Sequence, residues 1–361
     1  METLFDYLKT TGDLSFEVLP FKEEDYFVLS NLVYIRFSAY VKESESIMLS
    51  QAVERVLSDG DKAENWRSRK NDYRFLLSIS HCPRYMNLLL TDSVNLFSSA
   101  KAVQYYSFTL HGGGLSIICF KGTDLSLAGW KEDFETSYMK RVPSQHFATL
   151  YLKRIAGKYD DEIVLTGHSK GGNLAVFSFL NSSESVKKKV KGVYNFDGPG
   201  FLPASPTALK MKKCEDRIMT YVPSSSMIGM IMEHAEEYSV IASSYFSIFQ
   251  HDPYSWLFDG RSFCYLEKRD RHSLFFDRTV SAWLEKVTIA ERMKFTEILF
   301  SLYEKAGYKD FVGYSKKVLT DAPRMAKLYM KLSSEEKKVV SSMVKSLIKT
   351  FLELERKKGS K

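Results

Sequence analysis

The stretch Ile163-Val164-Leu165-Thr166-Gly167-His168-Ser169-Lys170-Gly171-Gly172-Asn173-Leu174-Ala175-Val176 constrains this chain more than any other part of it. Four apolar or β-favouring residues run into a glycine-flanked turn, and residues 173–180 follow with helical spacing and no proline. The pattern predicts a short buried strand, a tight turn carrying Ser169, and a helix. Within it, Gly167-x-Ser169-x-Gly171 has the spacing of a nucleophile elbow. A serine at the tip of such a turn has a strained backbone, and glycines two before and two after let strand and helix pass close together. The hydroxyl then points out of the sheet, and the helix N-terminus behind it favours developing negative charge. A plain glycine-rich turn would share the bare pattern, but both flanks carry the right periodicity for an elbow.

The same alternation extends to either side. Residues 104–110 and 115–120 are strand candidates joined by the turn His111-Gly112-Gly113-Gly114, which predicts a hairpin. A helix is expected over 145–158, and further strands over 192–196 and 217–222. Strands alternating with helices imply an α/β fold with a mostly parallel central sheet covered on both faces. Sites in such sheets form at the carboxyl ends of the strands, and Ser169, Asp197 and Pro223 all stand just past predicted strand ends. Residues 1 to about 100 read as mostly helical, notably 25–38 and 46–57. From about Ser281 the chain is again helical and Lys-rich. There Ser333-x-x-Glu336 is a capping box, and Val340, Met343, Val344, Leu347, Ile348 and Phe351 mark one helix face. The expected division is residues 1–284, with a helical N-terminal part, and a helical C-terminal extension over 285–361.

A neutral serine hydroxyl needs a base within reach, a group to orient that base, and donors for the oxyanion. Three histidines lie downstream: His234, His251 and His272. His251 opens the polar-aromatic loop His251-Asp252-Pro253-Tyr254-Ser255-Trp256 after an apolar run, which suits a base at the sheet edge. His168, beside the serine, reads as a structural partner. Asp197, in Asn195-Phe196-Asp197-Gly198-Pro199-Gly200, is the first candidate acid, although an aspartate there can also serve its own turn. Asp252, Asp259 and Asp277 are the alternatives. The oxyanion donors are expected to be the backbone N–H of Lys170 and Thr123, in Lys121-Gly122-Thr123-Asp124, through its N–H and hydroxyl. The apolar segment 227–232, through Met227 and Met230, either lines a substrate pocket or lid or is simply core.

Three blocks in order resemble class 3 (fungal-type) lipases of the α/β-hydrolase superfamily: Phe120-Lys121-Gly122-Thr123-Asp124, Gly129-Trp130-Lys131-Glu132-Asp133-Phe134, and Gly167-His168-Ser169-Lys170-Gly171-Gly172-Asn173-Leu174-Ala175. A bacterial branch, the Mbeg-like domain-of-unknown-function family, is more similar still. That likeness extends to Pro20-Phe21 with Glu24-Asp25, Val142-Pro143-Ser144-Gln145, residues 195–201, and Gln250-His251-Asp252-Pro253, and so covers roughly residues 1 to 285. The resemblance implies an α/β-hydrolase with Ser169 as nucleophile, His251 as base and Thr123 at the oxyanion hole. Lys170 stands where lipases usually have leucine, although this branch commonly has lysine. The lipase acid would fall near Pro223-Ser224-Ser225-Ser226, where no carboxylate stands, so the acid has either moved to Asp197 or been lost. The expected activity is that of a serine hydrolase cleaving carboxylic esters through an acyl-enzyme, with no metal or organic cofactor. The alternative is a weak or inactive hydrolase scaffold acting as a binding or regulatory protein.

The net charge of +7 is unevenly placed. Residues 285–361 hold 18 Lys/Arg against 10 Asp/Glu, while the other 284 residues hold 33 against 34. The basic character therefore belongs to the C-terminal helices, which suits either a solvated face or peripheral contact with an anionic membrane. No motif for nucleic acid accompanies it, so the expected partner is a small-molecule or lipid ester. Cys82, Cys119, Cys214 and Cys264 are widely spaced without a metal-ligand pattern. Residues 1–13 have neither a basic start nor an apolar run. These features predict a cytoplasmic chain with reduced thiols.

Overall fold

The computed structural model describes residues 1–60, 69–124, 126–213, 215–308 and 322–358. In chain order the strands are β1 (Glu2–Thr3), β2 (Ile47–Met48), β3 (Leu89–Ser98), β4 (Val103–Gly112), β5 (Leu115–Phe120), β6 (Glu162–His168), β7 (Val190–Phe196), β8 (Ile218–Pro223), β9 (Tyr238–Ile241), β10 (Leu257–Asp259), β11 (Ser262–Phe263) and β12 (Tyr265–Leu266). Nine of them form one sheet in the order β12-β9-β8-β7-β6-β5-β4-β3-β2. β5 to β9 run parallel, and β2, β3, β4 and β12 are antiparallel at the two margins. The sheet is thus parallel at its centre and mixed as a whole. β1, β10 and β11 make a separate small antiparallel sheet.

The helices are α1 (Leu4–Thr11), α2 (Glu23–Leu32), α3 (Leu49–Ser58), α4 (Arg69–Ser80), α5 (Pro83–Met86), α6 (Leu127–Glu135), α7 (Pro143–Lys158), α8 (Lys170–Leu180), α9 (Glu184–Lys189), α10 (Pro206–Met211), α11 (Arg271–Lys286) and α12 (Ile289–Lys305), then α13 (322–330) and α14 (Ser334–Lys358). Side-chain alternation along the central strands divides the core in two. From β5 and β6, Ile117, Cys119 and Val164 join a cluster with Phe27, Leu29 and other residues of the N-terminal helices. Ile118, Phe120, Ile163 and Leu165 pack on the opposite side with Leu152, Leu174 and Phe179 of α7 and α8. The sheet is therefore covered on both faces, the arrangement expected of a buried parallel sheet. α2 crosses beneath β6 and β7 and is buried along almost its whole length.

The N-terminal hundred residues are less helical than expected, because 89–98 is a strand rather than part of a helical region. Its alternation is hidden by a register shift between Thr91 and Val94, where Asp92 adopts φ 54°. After the sheet, α11 and α12 both pack on α14, and α12 rests on α6, where Phe300 and Tyr303 meet Leu127 and Trp130. Cys82 and Cys119 are buried and free and Cys264 is a free, partly buried thiol; Cys214 lies outside the described residues. No helix among the described residues is long and apolar enough to cross a membrane.

Candidate active site

Ser169 stands between the end of β6 and the first residue of α8, with φ 58° and ψ −132°. Only close packing holds an L-residue there. A Cβ added at Gly167 would lie 2.2 Å from the carbonyl carbon of Gly171, and one at Gly171 would lie 2.1 Å from the oxygen of Phe120. The two glycines therefore exist so that β6, α8 and the end of β5 can touch. The N–H of Ser169 donates to the carbonyl of Phe196 (2.9 Å), which locks the elbow to β7.

His251 bridges Ser169 and Asp197. Its Nε2 lies 3.0 Å from Ser169 Oγ, and its Nδ1 lies 2.6 Å from Asp197 Oδ2. Asp197 follows β7, is fully buried, and has its backbone pinned by donation to the carbonyl of Tyr221 (2.8 Å). Its second oxygen, Oδ1, accepts the hydroxyl of Ser226. The serine-rich turn where the lipase resemblance would put the acid thus holds the carboxylate of Asp197, which follows the neighbouring strand. The competing carboxylates are engaged elsewhere. Asp252 accepts the N–H of Tyr254 to cap a turn, Asp277 pairs with Arg269, and Asp259 closes β10 in the small sheet. Among the other histidines, His234 pairs with Glu236, and His272 is exposed in the first turn of α11.

The loop carrying His251 is held from both sides. His168 Nε2 lies 3.0 Å from the carbonyl oxygen of His251, and Tyr34 Oη lies 3.2 Å from His168 Nδ1. A carbonyl only accepts, so the ring proton belongs on His168 Nε2, leaving Nδ1 to receive the tyrosine hydroxyl. On the other side, the side chain of Gln250 accepts the N–H of Ser225 (2.7 Å) and donates to the carbonyl of Tyr245 (3.0 Å).

Lys170 is the first residue of α8, where backbone N–H groups have no partner within the helix. Thr123 follows β5, and both residues line the cavity in front of Ser169. The Thr123 hydroxyl, however, donates to Asp133 Oδ2 (2.6 Å), so of the two donors expected there only the backbone N–H stays available. Burial pushes the Asp133 carboxyl up to about 6, against the pull of Lys170.

The side chain of Lys170 has a role that the sequence did not suggest. It turns into the protein and meets Glu132 (3.0 Å), the carbonyl of Gln104 (3.0 Å) and Gln104 Oε1 (3.1 Å). Glu132 also takes the N–H and hydroxyl of Ser144, both at 2.7 Å. Burial works against the ammonium, but Glu132, Asp133 and Asp124 outweigh it and hold its pKa above the ordinary value. Gln104 in turn accepts the N–H of Asp124 (3.3 Å). One buried network therefore fastens α6 and the loop after β5 to the serine elbow.

In front of these groups lies a cavity of about 960 Å³. Its walls are largely apolar: Trp130 and Phe134 from α6, Ile228, Ile231 and Met232 after β8, and Trp283, Phe295 and Met343 from the C-terminal helices. Met227 and Met230 do not line it, contrary to expectation. Met230 packs inward with Val222 and Val240, while the next residues, Ile231 and Met232, turn to the cavity. The segment after Lys286 is also not peripheral to the site, because α12 and α14 supply part of its wall. Arg292 of α12 donates to the carbonyls of Ser137, Leu284 and Val287, closing the end of α11 over the cavity. Among the described residues no group of three or more His, Cys, Asp or Glu is arranged to hold a metal ion.

The strand order and the elbow together define the α/β-hydrolase fold. The chain belongs to the Mbeg1-like family, whose model matches residues 79–301. Among solved structures it is similar to the Lip2 lipase from Yarrowia lipolytica, at 14% identity and a TM-score of 0.33, over 45% of this chain and 68% of that one. It is also similar to M37 lipase, at 15% identity and a TM-score of 0.37, over 58% and 70%. No curated protein matches it.

Proposed function

We propose that the protein is a serine hydrolase of carboxylic esters with an apolar acyl part. The observation that carries this reading is the unbroken hydrogen-bonded chain Ser169–His251–Asp197 facing an apolar cavity. Ser169 Oγ attacks the ester carbonyl as His251 Nε2 takes its proton. Asp197 holds the imidazole in the required tautomer and stabilises its charged form. The N–H groups of Lys170 and Thr123 receive the oxyanion. The proton on His251 then passes to the leaving alcohol as the carbon–oxygen bond breaks. Water, deprotonated by His251, attacks the acyl-enzyme and releases the acid and Ser169.

The reading is tested by hydrolysis of p-nitrophenyl esters of increasing chain length. Wild type is expected to turn them over with a preference for medium or long acyl chains. Ser169→Ala and His251→Ala are expected to lose about 10⁴- to 10⁶-fold in kcat. A folded wild-type protein that hydrolyses none of the esters, or does so equally well without Ser169, would refute it. Hydrogen-bond contact of Ser169 and Asp197 with the two nitrogens of His251 favours the hydrolase over the alternative of a binding or regulatory scaffold.

A further inference from the structure

The outward face of α14 carries an apolar stripe, of which Phe351 meets Phe275 of α11 edge to face (5.3 Å between ring centres). Val344, Leu347, Ile348, Phe351 and Leu352 recur at helical spacing, and each is exposed, Ile348 by 53%. The inward face is set by Met343 and Thr350, both buried. Beside the stripe runs a second row, Lys338, Lys345 and Lys349, spaced by seven and four residues and so on one side of the helix. These lysines, with Lys286, edge a groove of about 620 Å³ that is also lined by Ser341, Ser342 and Ser346. Four ammonium groups face one carboxylate there, Glu353, which pairs with Lys286 (2.6 Å) and approaches Lys349 (4.0 Å).

We propose that α14 docks the protein on an anionic phospholipid bilayer. The stripe enters the acyl boundary, and the lysine row and its groove hold headgroup phosphates. An apolar face flanked by long basic side chains is what an interfacial helix presents, because the lysine stems lie along the apolar region while their ammonium groups reach the headgroups. The charge asymmetry points the same way, since the excess of basic residues is confined to 285–361. A second apolar cluster stands by the same cavity. Tyr245, Phe246, Ile248 and Phe249 precede His251 and are exposed, Phe246 by 73%. Tyr245, Ile248 and Phe249 line the cavity, and Met343 of α14 lines it from the helix's inward side, so delivery of an apolar ligand from the bilayer to the cavity is part of the proposal. The docking stands without the ester reading; only this delivery of substrate rests on it.

The test is co-sedimentation of the full chain with phosphatidylcholine vesicles, with and without phosphatidylglycerol. Wild type and Ser169→Ala are both expected to bind the anionic vesicles and to bind neutral ones far more weakly. The triple variant Lys338→Gln/Lys345→Gln/Lys349→Gln is expected to bind roughly a hundredfold more weakly, given the attraction of each lysine to an anionic surface. Ile348→Ser/Leu352→Ser is expected to lose binding as well, with an unchanged circular dichroism spectrum. Absence of wild-type binding, or equal binding by every variant, would overturn the proposal. So would loss in the lysine variant alone, which would mean that the contact is purely electrostatic and the stripe does not enter the bilayer. A wild-type dimer that Ile348→Ser/Leu352→Ser converts to a monomer, without lipid binding, would assign the stripe to a second copy of the chain and overturn it too.

Discussion

Ser169 is held at positive φ by contacts that leave no room for a side chain at its glycine neighbours. Gly167→Ala and Gly171→Ala are therefore expected to unfold or displace the elbow, because each Cβ meets backbone rather than a yielding side chain. Expression yield and thermal melting would show it. Asp197 makes a different prediction. Asp197→Asn keeps the shape but orients His251 in the wrong tautomer, so kcat should fall by about 10⁴-fold with little change in melting temperature. A loss below tenfold would mean that another group orients the imidazole. At this scale the sequence was most legible for Ser169 and His251, whose neighbours in the chain carry the signal. Asp197 was ambiguous because an aspartate in a Gly-Pro turn explains itself locally. Tyr34 was invisible and so was the part played by Ser226, although its turn had drawn notice for lacking a carboxylate, since each reaches the site from a distant segment.

Among elements, the buried network of Lys170 joins α8, α6 and the loop after β5. Removing one partner leaves the other charged and desolvated, so Lys170→Met is expected to cost about 3–5 kcal/mol in urea unfolding. Lys170→Met with Glu132→Gln should cost less than the sum of the two single changes, because the orphaned charge is gone. Additive losses would contradict the coupling. Asp133 adds a pH dependence. Its folded pKa is raised to about 6, so its contribution to stability is present below the ordinary carboxyl range and is lost as pH rises through about 6. Wild type should therefore weaken relative to Asp133→Asn between pH 4 and 7, a trend that unfolding measured across that range would reveal or refute. The parallel strands β5 to β8 and the elbow helix were legible because their runs are largely apolar; β9 was read only as part of the apolar run before His251. β3 was not, because its bulge breaks the alternation. Nor was the inward turn of the Lys170 side chain, because lysine at a helix start normally reads as solvated.

The molecule as a whole builds its cavity from segments far apart in sequence, between Tyr34 and Met343. That is why the sequence placed Met227 and Met230 near the substrate when their neighbours Ile231 and Met232 are the ones exposed to the cavity. It is also why the basic C-terminal helices read as an appendage, although Phe295 and Met343 belong to the cavity wall. Met343→Trp should fill part of that space. It is expected to lower kcat/KM for long-chain esters by at least about tenfold while sparing acetate esters. Equal effects on both would place Met343 outside the path of the acyl chain. All of this depends on Ser169 being an activated nucleophile. The most direct test is labelling of the intact protein with a fluorophosphonate, the modified peptide being located by mass spectrometry. The account predicts stoichiometric phosphonylation at Ser169, abolished in Ser169→Ala and strongly slowed in His251→Ala. A folded wild-type protein that stays unlabelled, or is labelled at another residue, would contradict it.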